Sequence, residues 1–251
     1  MSLFRRRSPE LSADELRRLI GRWLAQWPTL TRDEQDHLHA LTTALVDGLR
    51  WEASHGFDVT GDMKTAISAH AALLVLAFDD GLDSYLDVSS VIIHPTTIVR
   101  TGTHYVGGGM FSDGPDPVIG EAHHQGPVLV SWDAAAQHAR EPWRGESVLL
   151  HEFAHRLDML DGISDGTPPI EGEIELDDWV RVCSESLRRL RRNEEPSVLR
   201  QYAATNPSEF FAVATEVFFT RPTALRDENA ELYGVMRDYF CQDPARRRPM
   251  Y

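Results

Sequence analysis

The pentapeptide His151-Glu152-Phe153-Ala154-His155 sits inside an apolar stretch, with Val148, Leu149 and Leu150 ahead of it and Leu157, Met159 and Leu160 behind. That patterning predicts a helix over residues 143–160, largely buried. Residues four apart on a helix lie one above the other, so the two imidazoles address one point at a separation that suits a tetrahedral metal ion. Glu152, about 100° round the helix from His151, can reach a water on that metal without ligating it. A chain of this composition contains about 0.03 such patterns by chance. Two stacked imidazoles beside an acid on a buried helix are also costly without a cation to organise them. His151 and His155 are therefore expected to bind zinc, with Glu152 as general base.

A hydrolytic zinc site takes three protein ligands and keeps one position open. The pattern H-E-x-x-H-x-x-G-x-x-H is excluded, because Asp158 and Asp161 occupy the places of its glycine and last histidine. A carboxylate from a second helix is the other common solution. Residues 207–219 read as an apolar helix whose only charges are Glu209 and Glu216, seven apart and so on one face. Either can be the ligand, with the other supporting an imidazole. Glu209 also fits a capping box, three residues after Asn206 with Pro207 between them, whereas Glu216 lies two turns further on. Asp158 falls on the ligand face of the first helix, where it either orients an imidazole N–H or is a surface acid at the helix end.

Working outward, Leu16, Leu19, Ile20, Trp23, Leu24 and Trp27 fall at helical spacing and predict a helix over residues 12–27, with Ser12 and Glu15 as capping box and Pro28 as stop. Similar spacing predicts helices over 31–51, 61–78, 176–192 and 227–240. Residues 88–99 and 126–132 are rich in β-branched and apolar residues and read as strands, separated by a Gly/Pro-containing loop over 105–125 with a short hairpin in it. Strands in the middle flanked by helices on both sides predict an α+β fold, mostly helical with a small central sheet. The expected organisation is a flexible tail over 1–10, a helical region over 11–87 packed on the core, a catalytic region over 88–243 and a basic tail over 244–251.

The 251 residues carry a formal net charge of −14, a field that repels phosphate backbones and anionic lipids, so neither nucleic acid nor membrane is an expected partner. Arg5–Arg7 and Arg246–Arg248 read as solvated tail charges. The longest apolar run, residues 71–78, is far short of a bilayer span. Two cysteines, Cys183 and Cys241, suit neither a disulfide framework nor a thiolate metal site, and with no secretory signal visible they predict a cytoplasmic protein.

Three segments, HEFAHRLDMLDG (151–162), YAATNPSEFFAVATEVFF (202–219) and GPVLVSWD (126–133), closely resemble the Mlc titration factor A family of bacterial zinc metallopeptidases. The similarity runs over most of the chain after the N-terminal tail. The zinc region is also similar to the catalytic domain of anthrax lethal factor, as H-E-F-x-H-x-x-D followed by a tyrosine seven residues before a glutamate. The resemblance implies a zincin-like domain of the gluzincin type. In it His151, His155 and Glu209 would bind zinc, Glu152 would be the general base, and Tyr202 would donate a hydrogen bond to the transition state. Glu216 then supports an imidazole. A peptide or protein substrate is implied, with endopeptidase and aminopeptidase action both open. Strand 126–132 would either hold an extended peptide by β-addition or serve as a plain core strand. The family name is also associated with binding of a glucose-responsive repressor, but this Arg-rich sequence shows no docking signature for one, and that partner is not carried over. The alternative class is a zinc-containing regulatory protein that binds and sequesters a partner such as a transcriptional repressor. His123-His124 fall outside the ligand pattern and receive no role.

Overall fold

Helix α1 (Ala13–Trp23) starts where the sequence places it: Ser12 accepts from the Glu15 N–H and the Glu15 carboxylate returns to the Ser12 N–H. The computed structural model describes residues 11–247 apart from 55, 80, 97, 101–103, 106–110, 113–115, 119, 123–125, 171–174 and 194–195. The tail 1–10, His123-His124 and residues 248–251 lie outside the described residues. α1 ends four residues early, because Leu24 is extended and Pro28 belongs to a separate turn, Trp27–Thr29. α2 (Arg32–Gly48) repeats the capping box with Thr31 and Glu34. It stops short of Trp51 because Leu49 turns extended, and Trp51–Ala53 forms strand β1. α3 (Gly61–Leu74) is buried along almost its whole length, so it is the core helix on which α1, α2 and the metal-site helix pack.

The predicted strand 88–99 is divided into β2 (Val91–His94) and β3 (Ile98–Arg100), with Pro95 in the break. Within the expected loop lie β4 (His104–Tyr105), β5 (Phe111–Ser112), β6 (Asp116–Val118) and β7 (Gly120–Ala122), before β8 (Val128–Ser131). The main sheet has the order β1-β2-β8-β7, the first three parallel and β7 antiparallel to β8. β3 pairs with β6 and β4 with β5, both antiparallel, which gives the expected hairpin two stacked rungs. Because β8 is paired on both sides and Val128 and Val130 are fully buried, it is a core strand without a free edge. The expectation that it takes up peptide by β-addition is thereby corrected.

A helix the periodicity misses, α4 (Trp132–Arg140), follows β8 directly. Its apolar positions are alanines apart from Trp132, which leaves too weak a pattern to read. α5 (Val148–Asp158) begins five residues later than expected, since Pro142–Arg144 form a separate turn closed by Gly145 in the left-handed region, φ 84°. A side chain at Gly145 would press on Arg221. α6 (Leu176–Arg192) has the expected bounds, and α7 (Pro207–Thr220) runs one residue past them. The expected helix 227–240 starts three residues late, as α9 (Ala230–Phe240), because Asn229 leaves the helical region and caps α9 through the Leu232 N–H, and a short helix not expected from the sequence, α8 (Pro222–Glu228), precedes it.

One apolar cluster runs from Leu16 to Phe240. Its densest part is aromatic: Phe211 and Phe218 of α7 stack on Phe240 of α9, and Phe219 meets the same ring edge-on. Each such fully buried ring contributes about 1.5–3 kcal/mol, and together they hold α7 rigidly against its neighbours. The fold is α+β, mostly helical around a small sheet, as expected. No helix among the described residues is long and apolar enough to cross a membrane. Arg247 departs from the reading of a solvated tail: its guanidinium donates to Glu34 at 2.8 Å and to Gln242 at 3.0 Å, tying the C-terminal end to the start of α2.

Candidate metal centre

α5 and α7 pack side by side, and among the described residues the buried Asp, Glu and Arg side chains, Glu152, Arg156, Asp158 and Glu216, all lie on these two helices. The first turn of α5 is fixed from three directions. Glu216 accepts from the Ser147 N–H at 2.6 Å, His138 Nδ1 accepts from the Val148 N–H at 3.2 Å, and the Ser147 hydroxyl oxygen accepts from the Leu150 N–H. Burial pushes the His138 pKa down, which keeps that ring neutral and able to accept. The helix can therefore place His151 and His155 without fraying, although its leading donors would otherwise be unsatisfied.

His151 Nε2 and His155 Nε2 lie 3.1 Å apart, and Glu209 Oε2 lies 3.1 Å from the first and 3.6 Å from the second. Bond lengths of about 2.0–2.1 Å at tetrahedral angles require ligand atoms about 3.3 Å apart. The capping alternative for Glu209 separates cleanly here. Its backbone N–H is capped by Asn206 Oδ1 at 2.9 Å, while its carboxylate turns away from the helix end toward the imidazoles. Of the two acids on α7, Glu216 is the one that faces the far side of His151, with Oε1 2.8 Å from Nδ1.

The tautomers follow from the partners. An ionised carboxylate only accepts, so His151 Nδ1 carries a proton toward Glu216. Ser208 donates its single hydroxyl proton to Asp158 Oδ2 at 2.6 Å, so its oxygen accepts from His155 Nδ1–H at 3.0 Å. Both Nε2 atoms then point, with a carboxylate, at one place, where each can hold a proton or offer a lone pair to a metal ion. Glu209 Oε2 is buried there with no hydrogen-bond donor among the described residues. Burial of His151 disfavours its charged form, yet the Glu209 and Glu216 carboxylates outweigh that and push its pKa up to about 10. Burial likewise opposes the ionisation of Glu209, and the two imidazoles overcome it and hold its carboxyl below the usual range. The site demands positive charge at Nε2, and the three ligand atoms, all within 4.8 Å of one another, fit a divalent ion.

Asp158 is fully buried, which removes the surface-acid reading, and it reaches His155 through Ser208 instead of directly. Glu152 is buried next to the triad on the same helix. Tyr202 lies on a turn, Gln201–Ala204, with its ring 6.1 Å from that of His151 and half its surface exposed. Partial burial and the Glu209 and Glu152 carboxylates push its pKa above that of an ordinary phenol, so it stays a donor. The residues that sequence reasoning missed are Ser208, Ser147, His138 and Arg200. A buried Glu216 needs a partner for its charge, and that requirement was the available signal for Arg200, whose guanidinium donates to both Glu216 oxygens at 2.7 and 3.0 Å.

Residues 4–241 match the family model described as glucose-regulated metallo-peptidase M90. Mlc titration factor A of Edwardsiella ictaluri is 29% identical over 224 residues, 86% of this chain and 83% of that protein. The protein of the same name from Serratia proteamaculans is 27% identical over 241 residues, 89% of each chain. An uncharacterized protein of Synechocystis is 27% identical over 230 residues, 90% of this chain and 83% of its own.

Proposed function

The chain belongs to the glucose-regulated metallo-peptidase M90 family, and from that membership we propose that it is a zinc-dependent peptidase with His151, His155 and Glu209 as metal ligands. The observation that carries the reading is the convergence of two Nε2 atoms and the Glu209 carboxylate on one point, each imidazole held by a partner at Nδ1. Zinc bound there would supply Lewis acidity, lowering the pKa of a water in its open position and polarising the scissile carbonyl.

The chain's own residues do the rest. Glu152 accepts the proton of the attacking water and passes it to the leaving amine. The Tyr202 hydroxyl, kept protonated, donates to the carbonyl oxygen as charge develops on it. Glu216 and Ser208 keep the two imidazoles in the Nδ1–H tautomer and fix their planes. An extended peptide would align along β7, the last strand in the sheet order, which packs against α5. The two thiols without a disulfide, Cys183 and Cys241, support a cytoplasmic setting.

The test is cleavage of a peptide library containing free and blocked N-termini, with and without chelator, using Glu152→Gln as control. Zinc-restorable cleavage by wild type alone supports the reading, and preference for free N-termini assigns aminopeptidase action. A second reading rests on the relatives named as titration factors of Mlc. On it, the chain binds a regulatory protein such as a transcriptional repressor. Zinc retention with no cleavage, together with equal partner binding by wild type and Glu152→Gln, would favour that function.

A further inference from the structure

Arg200 lies outside the metal triad and its motif, yet it touches two of the groups on which the proposed chemistry depends. Its two terminal nitrogens reach Glu216 Oε1 at 2.7 Å and Oε2 at 3.0 Å, a bidentate pair. The same Oε1 atom is 2.8 Å from His151 Nδ1, so guanidinium, carboxylate and imidazole form one continuous chain. Its other contact is with Tyr202: the guanidinium carbon lies 5.6 Å from the centre of that ring. Arg200 also immediately precedes the turn that carries Tyr202. The far end of that turn is held separately, by Arg191 donating to the carbonyls of Ala204 and Thr205.

We propose that Arg200 is a positioning residue for the metal centre, setting the plane of His151 through Glu216 and seating the Tyr202 ring beside the triad through its own face. The inference rests on the peptidase reading for the Tyr202 arm and on metal binding alone for the Glu216 arm. The physical basis is the shape of the guanidinium. A planar fork matches both carboxylate oxygens and presents a flat face to an aromatic ring, and an ammonium group does neither. Glu216 is almost fully buried and accepts from Ser147, His151 and Arg200 together. Loss of the fork leaves Oε2 held by the Ser147 N–H alone and Oε1 by His151 alone, so the carboxylate loses the planar clamp that fixes both oxygens at once and the plane of His151 is set less tightly. Burial alone would be served by any cation of similar length, so Lys at this position separates geometry from charge.

The experiment measures zinc affinity by chelator competition, and kcat and KM on a cleaved peptide, for wild type, Arg200→Lys, Glu216→Gln and the double variant. Circular dichroism and cooperative unfolding verify that each is folded. Arg200→Ala is included, but it leaves a buried acid unpaired and the Lys variant carries the test if it fails to fold. Expected for Arg200→Lys is zinc affinity weakened about 10- to 100-fold and kcat lowered at least about tenfold with KM little changed. The double variant should bind zinc no more weakly than Glu216→Gln, because both substitutions act through one carboxylate. Wild-type zinc affinity in folded Arg200→Lys would overturn the proposal, as would losses that simply add. The two readings fail separately: zinc binding without cleavage by wild type sinks the peptidase assignment while the affinity comparison still decides Arg200.

Discussion

Ser208 donates to Asp158 at 2.6 Å and thereby becomes the acceptor that His155 needs. One hydroxyl proton decides the tautomer of an imidazole of the proposed metal triad, because Ser208 has a single proton to give and the carboxylate takes it. Ser208→Ala removes that arrangement and takes from Asp158 Oδ2 its shortest hydrogen bond, leaving the longer Ser164 contact at 3.4 Å on that atom. We expect zinc affinity to fall about 10-fold or more and stability to fall by about 1–3 kcal/mol. Chelator competition and urea unfolding on the same preparation check both. Unchanged zinc affinity would mean that His155 is oriented by its helix alone.

The two acids of α7 separate by magnitude. Glu209→Ala removes a ligand atom and is expected to abolish tight zinc binding, with little effect on helix capping because Asn206 already caps the Glu209 N–H. Glu216→Gln keeps a hydrogen-bond acceptor for His151 and should weaken zinc only about 10- to 100-fold. Elemental analysis after dialysis against a weak chelator tells them apart. Retention of zinc by Glu209→Ala and its loss from Glu216→Gln would reverse the assignment.

Tyr202→Phe retains the ring that Arg200 faces and removes only the hydroxyl. Since that donor matters most when the oxyanion forms, kcat should fall about 10- to 1,000-fold with KM and zinc content nearly constant. A dominant effect on KM would make Tyr202 a group that holds the substrate.

Much of this site is legible in the sequence because its chemistry is written at helical spacing. His151 and His155 are one turn apart, and Glu209 and Glu216 are the only charges on an apolar helix, so each pair announces a shared face. The supporting groups carry no such mark. Ser208 and Ser147 are ordinary residues of a helix's first turn and its cap, and their roles arise only when α5 and α7 are laid together. Arg200 is separated from Glu216 by sixteen residues and a turn, and among so many arginines nothing in composition distinguishes it. For the fold, the capping box at Ser12 located the start of α1, whereas α1, α2 and α3 all end before the expected residue. Leu49 leaves the helix to let Trp51 join the sheet opposite Val91, a demand set by a strand forty residues away.

The buried histidine outside the metal site supplies a test of acid stability. His70 on α3 is 4% exposed, and its Nδ1–H donates to the Ala66 carbonyl at 2.8 Å. Burial pushes its pKa from 6.5 down to about 4, more than the carbonyl contact can offset. Between those values the unfolded chain binds a proton at this position and the folded chain does not, so stability falls as pH drops through the window and the loss is complete below the folded value. The predicted contribution is about 2 kcal/mol between pH 7.5 and pH 5, approaching about 3 kcal/mol below pH 4. His70→Gln keeps an amide donor for Ala66 but cannot titrate. Urea unfolding of the metal-stripped proteins at both pH values should therefore show wild type losing about 2 kcal/mol more than the variant. Stripping the metal from both keeps zinc release out of the difference, and titrations elsewhere in the chain cancel between the two. Equal losses would show that His70 takes up its proton without cost in the folded state and would overturn the prediction.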